Sequence, residues 1–180
     1  MSKDTALLVV DVQTGVVDWS EPSCNGDEVL ARIKELLSRA RASAAPVIYV
    51  QHDGHEGGRL EVGTRGWEIH PAVAPADGET VIRKRASDSF YETTLQKELD
   101  DRGVKHLVIV GCRTQYCVDT TCRRATTLGY DVTLVKDAHT TMGEVLTAAQ
   151  IIAHHNATLD EFGNDKHMVI TKEAGEVTFI

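Results

Sequence analysis

The sequence predicts an α/β fold, in which a six-stranded, mainly parallel sheet is covered by helices on both faces. Three observations predict it. Short, unbroken apolar runs recur at Ala6–Val10, Val47–Val50, Leu107–Val110 and Val132–Val135, and runs of that length without polar alternation mark strands buried on both sides. Segments with apolar residues at helical spacing lie between them, as in residues 27–42. The two kinds of segment alternate, which is the pattern of βαβ units.

The first run ends at Asp11. A carboxylate at the C-terminal end of a buried strand stands where open parallel sheets hold their ligands. Taken alone, it is equally a loop starter or helix cap. Residues 27–42, DEVLARIKELLSRARA, space Val29, Ile33, Leu36 and Leu37 helically, with acid in the first turn and base in the last. Pro46 ends this helix, and Val47–Val50 forms the second strand. From Gln51 to Glu79 the periodicity is lost in a glycine-rich stretch containing His52, Asp53, His55, Trp67 and His70. So long a stretch inside a compact domain is usually a lid or a binding loop. Asp53 and His55 are weak metal-ligand candidates, with His52 and His70 as further ones. Loop histidines are more often solvated or hydrogen-bonded.

Glu79–Ile82 gives a third strand, followed by Arg83-Lys84-Arg85. That triplet reads as a solvated basic turn, except that Lys84, like Asp11, lies just beyond a strand end. Phe90–Leu99 is expected to form a helix burying Phe90, Leu95 and Leu99. The fourth strand, Leu107–Val110, breaks at Gly111 and hands over to a helix running from Val118 to about Leu128, stopped by Gly129. Val132–Val135 is the fifth strand. A helix over 144–158 would carry Val145, Leu146, Ala149, Ile152 and Ala153 on one side, and Met168–Thr171 supplies the sixth strand.

Cys117 sits where the fourth strand passes into its helix. Unpaired N–H groups at a helix start stabilise an anion, so a thiolate there is expected at a lowered pKa. The same groups can hold the oxyanion formed when sulfur attacks a carbonyl. The alternative is a small buried apolar residue, as most free cysteines are.

Composition bounds the function. One hundred and eighty residues fit one domain over 1–180 with a sizeable core. A formal net charge of −8 argues against nucleic acid, because no basic patch is available to neutralise phosphates. No run is long enough to span a bilayer, and Ala6–Val10 is too short for a signal peptide. A cytoplasmic protein with reduced thiols is therefore expected. Cys112, Cys117 and Cys122 recur every five residues, which matches no CxxC metal or redox spacing.

Asp11, Lys84 and Cys117 each fall at or just beyond a strand end, and in a parallel sheet those ends share one edge. Together they would make a coherent site. The Asp11 carboxylate takes the thiol proton, Lys84 stabilises the thiolate and orients the carboxylate, and the protonated acid serves the departing amine.

Three stretches carry a resemblance: ALLVVDVQ around Asp11, KRASDSFYETTL from Lys84, and GCRTQYCVDTTCRRATTLGYDVTLVKDA around Cys117. In this order and spacing, over about residues 5–172, the chain resembles the isochorismatase-like cysteine hydrolase superfamily, which includes nicotinamidases, N-carbamoylsarcosine amidase and ureidoacrylate amidohydrolase. The resemblance implies a Rossmann-like three-layer α/β/α fold and an Asp-Lys-Cys triad carried by Asp11, Lys84 and Cys117. It also implies a cis peptide at Cys112–Arg113 and an oxyanion hole made by the N–H groups of Arg113 and Cys117. The expected reaction is hydrolysis of a C–N bond in a small molecule through a thioester, without a cofactor, in a homodimer or homotetramer.

This chain departs from the pattern in two ways. Arg113 stands where relatives often carry a small or apolar residue, and its side chain either turns away or binds an acidic substrate group. Asp53-Gly54-His55 echoes the nicotinamidase metal motif, but His70-Pro71 resembles a His-Pro outside that site, so no metal is expected. Isochorismatases proper lack the cysteine, so Cys117 favours C–N cleavage. The alternatives are an ether or ester hydrolase driven by Asp11, and a catalytically silent member that binds a ligand or partner. Trp19, Trp67, Phe90 and Tyr116 are candidate pocket walls that could stack on a flat substrate.

Overall fold

The computed structural model describes residues 4–18 and 24–179. Six strands form one sheet: β1 (Thr5–Val10), β2 (Val47–His52), β3 (Thr80–Lys84), β4 (His106–Cys112), β5 (Asp131–Thr140) and β6 (Val169–Lys172). Their order across the sheet is β3-β2-β1-β4-β5-β6, and every pairing is parallel. The helices are α1 (Thr14–Val17), α2 (Gly26–Ala42), α3 (Leu95–Asp101), α4 (Asp119–Thr127) and α5 (Ala148–Leu159).

The apolar runs explain the layers. Along β1, Leu7 and Val9 point into a core shared with Ile33, Leu36 and Leu37 of α2. Ala6, Leu8 and Val10 point the other way, onto Leu95 and Leu99 of α3 and Cys122 and Ala125 of α4. A strand alternates its side chains between faces, so burial of both faces requires the unbroken apolar run seen in the sequence. Among the described residues, no helix is long and apolar enough to cross a membrane.

The chain builds the sheet outward from β1 to β3, then returns to lay β4 on the other side of β1. The strand order therefore switches between β1 and β4, and a crevice opens at their C-terminal ends. Gly111 permits the close approach there: it has φ +125°, and a Cβ would lie 2.0 Å from the Val10 carbonyl oxygen. Beside it, Asp11 takes the left-handed conformation, with φ +49°.

Two expected helices are shorter than the pattern suggested. The segment after β3 becomes helical only at Leu95, because Glu92 has φ +53° and the Asp88 carboxylate accepts the Phe90 N–H at 2.8 Å, which makes a turn. The helix expected over 144–158 begins at Ala148, where Thr147 and Gln150 form a capping box. Its buried residues are Ala148, Ile151 and Leu159, while Val145 and Leu146 lie exposed ahead of it.

The 53–79 loop contains no α-helix, only a 3₁₀ turn at Pro71–Val73. It is nevertheless pinned to the sheet edge. Gln13 Nε2 donates to the carbonyls of His52 (3.0 Å) and Trp67 (2.7 Å), and Gln51 Nε2 donates to Trp67 O at 2.8 Å. The Gly15 N–H donates to Gly66 O at 2.8 Å, and a Cβ on Gly66 would lie 2.2 Å from Arg59 O, so only glycine allows this approach.

Candidate active site

The switch-point crevice opens into a cavity of about 470 Å³ lined by Asp11, His52, Arg113, Tyr116 and Cys117 among others. Strand ends bring the first groups in. Lys84 is the last residue of β3, in register with His52 of β2, and Asp11 follows β1 between β2 and β4. Lys84 Nζ lies 2.8 Å from Asp11 Oδ2, with both side chains almost wholly buried, and also donates to Ala86 O at 2.8 Å. Asp11 Oδ1 is buried with no hydrogen-bond partner. Burial alone would lower the Lys84 pKa, but the charges and hydrogen bonds of Asp11 and Cys117 outweigh it and hold Lys84 raised.

Cys117 lies on a π-turn, Thr114–Val118, between β4 and α4. The Val118 N–H reaches back five residues to Arg113 O at 3.3 Å, the wide geometry often found at functional sites. The peptide bond entering this turn, Cys112–Arg113, is cis, as the resemblance implied. A Cys117 Sγ, an Asp11 carboxylate oxygen and a His52 ring nitrogen all lie within 4.8 Å of one another.

The expected lowering of the Cys117 pKa is overturned. Burial, then the Asp11 carboxylate, push the thiol up to about 12, and Lys84 opposes them without prevailing. The resting site thus holds a neutral thiol beside a buried carboxylate–ammonium pair. Burial also lowers the pKa of His52, with Asp11 and Lys84 acting on it in opposite directions.

The other predicted residues divide. Tyr116 lines the cavity and is 44% exposed at its mouth. Arg113 lines it too. Phe90 does not: it is buried in the core against Tyr130, ring centroids 5.9 Å apart, because the turn after Asp88 directs it inward. Nor does Trp67 reach the cavity. Its Nε1 donates to Asp53 Oδ1 at 2.9 Å and its ring lies under the Arg83 guanidinium, so its faces serve the loop. Trp19 lies outside the described residues.

The candidate metal pair also separates. The Asp53 carboxylate is held by Trp67 and by Arg83 at 2.9 Å, whereas His55 Nδ1 meets Glu56 O at 2.9 Å. His70 pairs with Asp18 at 3.0 Å. The group with metal-ligand proximity among the described residues is instead Asp11, His52 and Cys117, where the Lys84 ammonium already supplies a positive charge.

A polar chain missed in the sequence braces the turn that carries Cys117. Thr114 Oγ1 donates to His139 Nδ1 at 2.9 Å, His139 Nε2 donates to Asn156 Oδ1 at 2.8 Å, and Asn156 Nδ2 donates to Lys136 O at 3.1 Å. The last bond fixes the Asn156 amide, and through it the histidine tautomer. Burial holds the His139 pKa down to about 4. The histidine at the end of the fifth apolar run was the one signal that could have found this chain.

With this geometry in hand, comparison with known proteins decides the family. A model of the isochorismatase domain matches residues 5–160. The chain belongs to the isochorismatase family. It is 43% identical over 136 residues to a streptothricin hydrolase of Streptomyces noursei, covering 76% of this chain and 54% of that protein. The chain thus spans about half the length of that relative. It is 26% identical over 179 residues to the ureidoacrylate amidohydrolase RutB of Variovorax paradoxus, covering 79% of this chain and 71% of the relative. The crystal structure of a putative isochorismatase hydrolase from Oleispira antarctica superposes with a TM-score of 0.87 at 32% identity, covering 98% of this chain and 96% of that one. The protein has the six-stranded parallel α/β fold of that family.

Proposed function

We propose that the protein is a cysteine amidohydrolase that cleaves a C–N bond of a small molecule through a thioester on Cys117. The observation that carries this reading is the buried Asp11–Lys84 pair, with one carboxylate oxygen left without a hydrogen-bond partner and an Asp11 carboxylate oxygen within 4.8 Å of the Cys117 sulfur. The two hydrolase relatives, one named an amidohydrolase, support it.

The resting protonation states define the steps. Because the thiol is neutral, its proton must leave as sulfur attacks, and Asp11 Oδ1 is the adjacent acceptor. Lys84 stays protonated and holds the carboxylate in place through Oδ2. The S–C bond forms, the carbonyl electrons move to oxygen, and the backbone N–H groups of Arg113 and Cys117 stabilise that oxyanion. On collapse the C–N bond breaks, and the amine leaves with the proton from Asp11. Water then gives a proton to Asp11 and its oxygen to the thioester carbon. The acid departs and the proton returns to sulfur, so that amide and water become acid and amine.

A screen of small amides for amine release, with streptothricin and ureidoacrylate included as the compounds named by the relatives, tests this reading. The expected result is turnover of at least one amide that Cys117→Ala abolishes. Amine release that survives Cys117→Ala but not Asp11→Asn would overturn the thioester and leave hydrolysis driven by the carboxylate alone.

A further inference from the structure

The cavity wall has a charge pattern that the triad does not use. Among the described lining residues the one carboxylate is Asp11, which Lys84 neutralises at 2.8 Å, while the Arg113 guanidinium borders the same space. This cation belongs to a protein of net charge −8. A cleft lined by one sign of charge concentrates small molecules of the opposite sign.

Arg113 differs from the ion-paired arginines of the protein, and from the exposed Arg65 and Arg85 in being half-buried. Arg41, Arg83, Arg102 and Arg123 each meet a carboxylate at 2.8 to 3.0 Å. Among the described residues Arg113 has no ion pair: its Nη2 donates to the Met142 thioether at 3.6 Å, and sulfur of that kind is a weak acceptor. A half-buried guanidinium held this loosely retains donors for a ligand.

We infer that Arg113 is a specificity residue, whose guanidinium binds a carboxylate on the substrate. The substrates are then small amides that carry a carboxylate. Arginine presents parallel N–H donors that match the two oxygens of a carboxylate, which lysine does not. The inference rests on the reading of Cys117 as nucleophile, and its test separates the two.

The experiment alkylates the protein in parallel with iodoacetate and iodoacetamide, locates modification at Cys117 by mass spectrometry, and compares the rate ratio with that of free cysteine. Both reagents are attacked by the same thiolate, so the ratio cancels the thiolate fraction and reports the charge preference of the cavity. The expected ratio at Cys117 exceeds that of free cysteine by about tenfold, as a charge-assisted contact allows. It falls by a similar factor in Arg113→Met and partly recovers in Arg113→Lys, which keeps the charge without the fork. Reaction with the neutral reagent shows, in the same samples, that each variant still assembles the site. A reactive Cys117 whose ratio is unchanged in Arg113→Met overturns the carboxylate assignment and leaves the nucleophile standing. A Cys117 inert to both reagents even above pH 10, where a thiol ionising near 12 yields thiolate, overturns both.

Discussion

At the C-terminal edge of the sheet, Asp11 and Lys84 are buried as a pair beside Cys117, and the second carboxylate oxygen has no hydrogen-bond partner. In the 53–79 loop the Asp53 carboxylate and the Trp67 indole engage each other and the Arg83 guanidinium of the adjoining strand β3. Both regions hold charged and aromatic groups close together, yet the second is closed on itself and the first is left incomplete. Burying an unpartnered carboxylate oxygen is costly. The sheet edge can hold one because strands buried on both faces, β1 and β4, fix the backbone around it. The loop, with no helix or strand between β2 and β3, uses its polar side chains as its own scaffold.

This contrast gives its largest expected effect in turnover. Asp11→Asn and Cys117→Ala should each reduce turnover of any amide substrate by about a thousandfold or more, the scale of lost general-base and nucleophilic catalysis. Trp67→Phe removes the indole N–H but keeps the ring, and should leave kcat within about twofold. A comparable loss of kcat in Trp67→Phe would give the loop a share in the chemistry.

Next in size is stability at the brace. His139→Ala leaves Thr114 and Asn156 unpaired in a buried setting and should cost about 3 kcal/mol in urea denaturation. The same residue sets a pH dependence. Unfolded, the imidazole binds its proton near 6.5; folded, only near 4. Between these values the unfolded chain holds more protons, so stability is full above pH 6.5 and falls as the pH drops toward 4, by up to about 3 kcal/mol. His139→Gln should flatten that window. The smallest effect belongs to the loop: Trp67→Phe should cost about 1 kcal/mol for the lost bond to Asp53.

How much could be read in advance follows the same division. The strands were legible because a parallel sheet needs unbroken apolar runs, and the convergence of Asp11, Lys84 and Cys117 followed from strand ends sharing one edge. Trp67 misled, and of the two readings of Phe90 the core one holds, because an aromatic near a strand end looks the same whether it faces a cavity, a guanidinium or the core. The helix over 144–158 was drawn too long, since Val145 and Leu146 suggest a buried face although a cap at Thr147 starts the helix after them. The direction of the Cys117 shift was misjudged for a related reason. A position near a helix start can be read from the chain, but the depth of burial and a carboxylate from 106 residues earlier cannot. His139 and Asn156 were silent because their partnership exists only across β5 and α5.

The central claim is that Asp11 is the acceptor of the Cys117 proton. It is tested most directly by the pH dependence of iodoacetamide alkylation at Cys117, located by mass spectrometry, in the wild type and in Asp11→Asn. With the thiol ionising near 12, the wild-type rate should still be climbing above about pH 10. Asp11→Asn removes a charge that holds the thiol up and leaves Lys84 to stabilise the thiolate. The profile should therefore move to lower pH, and Cys117 should react faster near pH 8 in the variant that has lost turnover. Superimposable profiles would contradict the account, because the thiol would then ionise without regard to the carboxylate assigned as its base.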